Sequence, residues 1–410
     1  MVTTKVGPVI LSAAKDLRAK RLVRISFLRP SYSALIFVLL TFMLTACSLN
    51  SLIGGNSTPS SSTEQLTPPS AGIHLGEQLC PGEVKDPLHW NAIVNPGAGQ
   101  TVESVSCGNL VGLSTLQALV AVRHAGDDHT LDIFIYSHIT NNKPSQLFAL
   151  SGLLHGDVKI SGYNTVLTAQ SDPHSSINKN LPPAQFEQDL FREFKWSDRA
   201  LTFVQVTFSG LFPDLTRFQA EREQAQVNAG AGFQQWRIDV VASARHLANT
   251  YLNWPPDVPV TILSGGGTRD YKAVVQVSNT APGDGTISVS FTRLEGNNNG
   301  GLWEATAIEA DGLSIKSPQS GQPLTSPIMV EGTDSAFTGK IMTIRVLDHL
   351  HIDIGHANVS PGGQATFSSS VPYTSSFQGG GQEGIVALYA YNTNGSVAAV
   401  VMEKVLLGTS

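Results

Sequence analysis

Beyond residue 46 the chain is short of basic residues, with 19 Lys and Arg against 31 Asp and Glu and a formal charge of −12. Phosphate contacts need clustered Lys and Arg, so this balance argues against nucleic-acid binding. A long apolar run is also missing. The uncharged stretch Ala34 to Ala46 has about thirteen residues, where a membrane-spanning helix needs ~20. The G-x-S-x-G elbow and the paired carboxylates expected of hydrolases are not visible. Gly265-Gly266-Gly267 precedes a strand and lacks the Lys-Ser/Thr of a phosphate-binding loop, which leaves phosphate binding without support. Cysteine is limited to Cys47, Cys80 and Cys107.

The first residues, in contrast, are basic: Lys5, Lys15, Arg18, Lys20, Arg21, Arg24 and Arg29 stand against the single acid Asp16. A basic start followed by a short apolar run has the form of a signal peptide. The run ends in Leu44-Thr45-Ala46-Cys47, which resembles the bacterial lipobox, a branched apolar residue and two small ones before a cysteine whose thiolate is alkylated. That resemblance implies cleavage of residues 1–46 and acylation of Cys47, with the lipid bilayer as partner on the extracytoplasmic face. An ordinary signal peptide or an uncleaved anchor helix is the alternative. Residues 47–72, rich in Ser, Thr, Pro and Gly, cannot bury enough surface to order themselves and read as a disordered linker.

In an exported protein the remaining pair, Cys80 and Cys107, is most simply a disulfide. The competing reading is a nucleophilic cysteine with His74, His89 or His124 as base. The 38 Gly and 22 Pro fit a β-rich secreted protein with many turns, and roughly 340 residues after the linker are too many for one core.

The expected fold is multidomain, mainly β with an α+β part. Residues 73–210 read as a β-rich domain. Its clearest signal is a hairpin of Leu116 to His124 and Thr130 to Ile139, in which Leu131, Ile133 and Ile135 alternate with Asp132, Phe134 and Tyr136. A short helix is expected over Gln185 to Phe194. Residues 211–310 read as two helices, one begun by Asp214 and one over Trp236 to Leu252, followed by four strands. This order resembles the cystatin-like and NTF2-like class.

Residues 311–410 show seven short alternating runs and no helical signal, the pattern of a β-sandwich. Ser317-Pro318, Gly321, Ser326-Pro327, Gly332-Thr333 and Phe337-Thr338-Gly339 resemble the immunoglobulin-like domain of bacterial spore germination proteins. The resemblance implies an immunoglobulin-like sandwich and extracytoplasmic, non-catalytic use. Each Pro is expected to start a strand, and the glycines to occupy turns with positive φ.

Several groups invite chemistry but admit simpler readings. His349, His351 and His356 form the densest histidine group, and the first two, spaced by two on a strand, could share a metal or lie on a solvated strand edge. The stretch from His124 to His129 joins acids and histidines at a hairpin tip. Glu221 and Glu223 read as exposed partners of Arg217 and Arg222, and Trp303-Glu304 as a core aromatic with an outward acid. No cofactor, metal or catalytic residue is assigned. The reading is a non-enzymatic binding or structural lipoprotein of the cell envelope, linked to sporulation or germination, with a cell-wall polymer or an envelope protein as partner. The alternative is an envelope hydrolase or small-ligand carrier using a cavity in the α+β domain.

Overall fold

The computed structural model describes residues 76–408 apart from 127, 142, 233, 280–284, 295–300, 338–339 and 360–364. Cys47, the signal segment, the linker and His74 lie outside the described residues. Among those described, 21 strands accompany three α-helices, so the protein is mainly β with several sheets.

The first sheet is antiparallel, in the order β1 (Glu77–Gln78), β2 (Gln100–Gly108), β3 (Gln117–His124), β4 (Leu131–Ser137) and β5 (Ser145–Leu153). The expected hairpin is β3–β4, with Val120 opposite Phe134. Both faces of β4 are covered. Leu131, Ile133 and Ile135 enter one core, while Tyr136 and Phe134 pack on the other with Trp90 of helix α1 (Pro87–Val94). The Cys80–Cys107 disulfide ties the segment before α1 to β2, with the two Cα atoms 5.2 Å apart.

A second sheet follows in the order β6 (Asp157–Ile160), β7 (Val166–Gln170), β8 (Leu190–Ser197) and β9 (Thr202–Val206). Strand β8 corrects the helix expected over Gln185 to Phe194. Its Gln, Glu, Leu and Arg favour helix locally, but both faces find partners in extended form. Phe194 packs on Phe148, Phe191 stacks on Phe218 at 5.0 Å, and Arg192 donates to Gln170 at 2.6 Å.

Helix α2 (Arg217–Asn228) is capped by Thr216, not by Asp214, whose carboxylate is engaged elsewhere. The second predicted helix begins later than expected. A short 3₁₀ turn, Gln235–Ile238, precedes α3 (Val240–Leu252), and Asp239 caps α3 by accepting from Val241 and Ala242. Asn253, in the left-handed region, ends it.

Across α3 lies an antiparallel meander of β10 (Val260–Gly265), β11 (Lys272–Ser278), β12 (Thr286–Arg293) and β13 (Trp303–Glu309). Ala244, Leu247 and Ala248 of α3 share a core with Val275, Val289, Phe291 and Trp303, which fills the space between helix and sheet. The remaining strands are β14 (Ser314–Ser317), β15 (Pro323–Leu324), β16 (Ile328–Thr333), β17 (Ile341–Leu347), β18 (Asp353–Val359), β19 (Thr366–Val371), β20 (Gln382–Tyr391) and β21 (Val397–Leu407).

The meander does not end at β13. Ile308 pairs with Met402 of β21, and the sheet continues through β20, β17 and β18. A three-stranded sheet, β14-β16-β19, faces this second half. Val330 and Phe367 share its core with Ile344 and Leu388. One hydrophobic core thus extends from Leu211 to Leu407, across residue 310.

Two expectations for the Pro and Gly positions are corrected. Pro327 precedes β16 as expected, but Pro318 terminates β14, where a missing N–H stops the ladder. Gly321 does have positive φ, whereas Gly332 lies within β16. A Cβ at Gly332 would come within 1.9 Å of the Ser314 carbonyl oxygen and 2.6 Å of the Phe367 ring. Close approach, not a turn, requires this glycine. Thr338 and Gly339 lie outside the described residues.

Candidate functional site

Strand β12 alternates strictly. Ile287, Val289 and Phe291 point into the core under α3, so Thr286, Ser288, Ser290 and Thr292 form a row on the opposite face. Pairing extends the row sideways. Ser278 and Gln276 of β11 lie opposite Thr286 and Ser288, and Glu304 of β13 lies opposite Thr292. A register shift beside Ser290 brings in Thr306, whose hydroxyl donates to the Ser290 carbonyl at 3.3 Å. Ser288, Ser290 and Thr292 are half-buried and open to one side. Hydroxyls and an amide both donate and accept, so this face can bind polar ligands of either hydrogen-bonding sense.

The row runs between two hollows. One is a cleft of about 410 Å³ where Thr286, Ser288 and Gln276 meet Glu309, Asp311 and Glu403. Burial pushes the Glu403 carboxyl above its ordinary range. The other, of about 120 Å³, adds Tyr163, Tyr271, Arg217 and Glu304 to Thr292 and Thr306. Arg217 is fixed there by Glu193 at 2.9 Å and by the Tyr163 ring, whose centroid lies 4.0 Å away.

Glu304 corrects the outward acid expected beside Trp303: both side chains are buried. Glu304 accepts from Arg237 at 2.9 Å and from the Asp214 backbone N–H at 3.4 Å. Burial, followed by the like charge of Asp214, holds its pKa well above the usual carboxylate range. Arg237 also binds Asp214 directly and lies 3.7 Å from Glu223. Burial opposes its charge, but Asp214 and Glu304 outweigh it and raise the guanidinium's pKa. A second buried pair joins Lys404 to Glu383 at 3.0 Å. Lys404 donates further to the carbonyls of Gly210 and Leu215, and the Phe208 N–H donates to Glu383 at 2.9 Å. These charges fasten residues 208–215 and the 3₁₀ turn to the large sheet.

Glu221 and Glu223 are likewise not the exposed partners expected. Glu221 is buried against Lys159 at 3.1 Å, Glu223 approaches Arg237, and Arg217 turns to Glu193. The sequence missed these pairings because the partners lie on other elements. The Ser/Thr row, in contrast, is written in the alternation of T-I-S-V-S-F-T-R.

The histidines do not converge. His349 and His351 sit in the loop between β17 and β18, not on a solvated edge. His349 is 3% exposed and bonds Gln382 through Nδ1, and burial lowers the pKa of His351 to about 4. His356 alone is on the strand, exposed, 3.5 Å from Asp353. Among the described residues no group of three His, Cys, Asp or Glu side chains is placed to hold a metal.

The hairpin tip also divides. His124 binds Asp132 at 2.8 Å, while His129 turns toward His155 in a cleft with Arg123 and Glu103. Asp127 lies outside the described residues. The sulfurs of Cys80 and Cys107 are bonded to each other, so neither is a thiolate nucleophile in this state. Gly265 has positive φ and closes the β10–β11 turn. No protein-family model matches the chain, and no curated protein matches its sequence.

Proposed function

We propose that this chain is an exported lipoprotein, cleaved before Cys47 and held on the extracytoplasmic face of a membrane by acyl chains on that thiol. Its folded part acts as a non-enzymatic binding module of the cell envelope, with a hydroxyl-rich cell-wall polymer as ligand. The basic start, the short apolar run and Leu44-Thr45-Ala46-Cys47 support the anchor, and the disulfide agrees with an oxidising compartment. Two long acyl chains contribute on the order of 20 kcal/mol gross, which makes such an anchor stable.

The observation that carries the binding role is the outward row Thr286, Ser288, Ser290 and Thr292 with a hollow at each end. Its carboxylates favour neutral or amine-bearing sugars over polyanions. The filled interior beneath α3 weighs against a small-ligand carrier using that space. In this reading the meander over α3 is a cystatin-like or NTF2-like unit. The stacked strands of residues 311–410 form an immunoglobulin-like domain of the spore-germination type.

Metabolic labelling with a lipid precursor tests the anchor: the wild type should be marked and Cys47→Ala missed, and equal labelling sinks the claim. Co-sedimentation with purified insoluble cell wall tests the site. The full chain should pellet and the Ser288→Leu/Ser290→Leu variant should pellet at least tenfold less. Equal pelleting by a folded, disulfide-linked variant refutes the site.

A further inference from the structure

Three of the large apolar side chains exposed at the surface lie close in sequence to one groove. The groove, of about 610 Å³, is lined by Pro81, Val111, Leu116, Ile139, Leu147 and Trp196, together with polar residues at its rim. Three of the most exposed leucines flank it in sequence. Leu79, 90% exposed, lies two residues before Pro81, and Leu113, 62% exposed, immediately precedes the groove residues 114–117. Leu201, 72% exposed, lies in the turn that follows Trp196. The next residue, Thr202, donates to the carbonyl of groove-lining Leu147 at 3.5 Å.

We propose that this face seats on the lipid bilayer, so that the folded part lies on the membrane instead of standing free at the end of its tether. The proposal rests on the lipoprotein reading. Three features single out a bilayer as the occupant. First, the chain enters the described structure at Gly76, three residues from Leu79, and only residues 48–75 separate that point from Cys47. Fully extended, that length spans at most about 100 Å, so the anchor keeps this face at a high local concentration near the lipid.

Second, Trp196 is amphipathic in place. Its ring packs on Phe203 at 5.6 Å while its indole N–H donates to Asp198 at 2.8 Å. Such a ring suits the headgroup level of a membrane. Third, His138 lines the groove, and Lys143 and Arg199 lie in the two turns beside it. Lys143 and Arg199 outnumber the neighbouring acid Asp198, which is taken up by the Trp196 indole, and they complement anionic headgroups.

The test uses the lipoprotein purified from membranes and reconstituted on vesicles of phosphatidylglycerol and phosphatidylcholine with brominated acyl chains. Trp90, Trp254 and Trp303 are fully buried, and the half-buried Trp236 is stacked on Phe212 and His246 and does not line the groove, so bromine should reach Trp196 first. Wild-type emission should be quenched by roughly one part in five, given the 5 Trp of the chain. Quenching should vanish in Trp196→Phe and fall at least threefold in Leu113→Ser/Leu201→Ser, while all three proteins sediment with the vesicles.

Sedimentation reads the acyl anchor and quenching reads the face. Protein that sediments without quenching overturns the docking, as it would if a protein partner or second copy covered the groove. Quenching unchanged in Trp196→Phe also overturns it. Quenching by protein whose mass shows no acyl chain refutes the anchor and supports the docking.

Discussion

Glu383 offers the most direct handle on the buried charges. Its carboxyl is fully buried, and burial pushes its pKa up to about 7 against the pull of Lys404. In the unfolded chain a glutamate titrates near ~4.3. Between those values the folded state keeps a proton that the unfolded chain has released, so stability falls as pH rises through this window. The loss is about 1.4 kcal/mol per pH unit and roughly 3 to 4 kcal/mol across the whole interval. Glu383→Gln removes that proton. Below about pH 7 the variant should lose little stability, because a neutral amide replaces a neutral carboxyl and its oxygen can still accept from Lys404, which also keeps the Gly210 and Leu215 carbonyls. Its pH dependence, however, should be flatter than wild type by close to one proton. Glu304 is raised in the same direction and contributes equally to both proteins, so the comparison isolates Glu383. Urea unfolding at steps from about pH 4.5 to 7.5 reads the slope directly. Parallel slopes for the two proteins would mean that Glu383 does not hold a proton in this window.

Three further outcomes follow from the same geometry. Arg237→Ala should cost about 3 to 5 kcal/mol in urea unfolding, since it leaves Asp214 and Glu304 facing each other. Adding Glu304→Gln should recover part of that loss, and strict additivity would argue against the network. Replacing Cys80 and Cys107 by Ala should lower stability by about 3 to 4 kcal/mol, from the loop that the bridge closes. A melt unchanged by reductant would contradict this. Gly332→Ala should destabilise by at least about 1 to 3 kcal/mol, because the new methyl meets the Ser314 carbonyl and the Phe367 ring. A neutral effect would mean that β14 can withdraw freely.

Most strands could be read from alternation, because a strand with one face in a core has to repeat every two residues. Residues 286–293 show it cleanly, and so does the hairpin around Gly126. Strand β8 was hidden by its composition: Arg192 and Glu193 look like a helix surface until Gln170, Thr165 and Arg217 arrive from elsewhere to satisfy them. The acids failed for a related reason. Alternation puts Glu304 on the face away from Trp303 whether that face is open or covered, and only Arg237, 67 residues away, reveals the cover. Likewise, His349 and His351 sit two apart as they would on a strand, yet left-handed backbone at His351 turns the loop, with His349 buried and His351 half-buried.

The pairing of Ile308 with Met402 has a consequence for how the molecule is made. Strand β13 ends at Glu309 and its neighbour β21 begins at Val397, so the whole intervening stretch must be synthesised, and in an exported chain translocated, before the largest sheet can close. Until then β13 presents an open edge with Trp303 beside it. Such long-range closure is slow and prone to aggregation. The maturing chain therefore depends on being kept apart from its neighbours for longer than its individual hairpins would require.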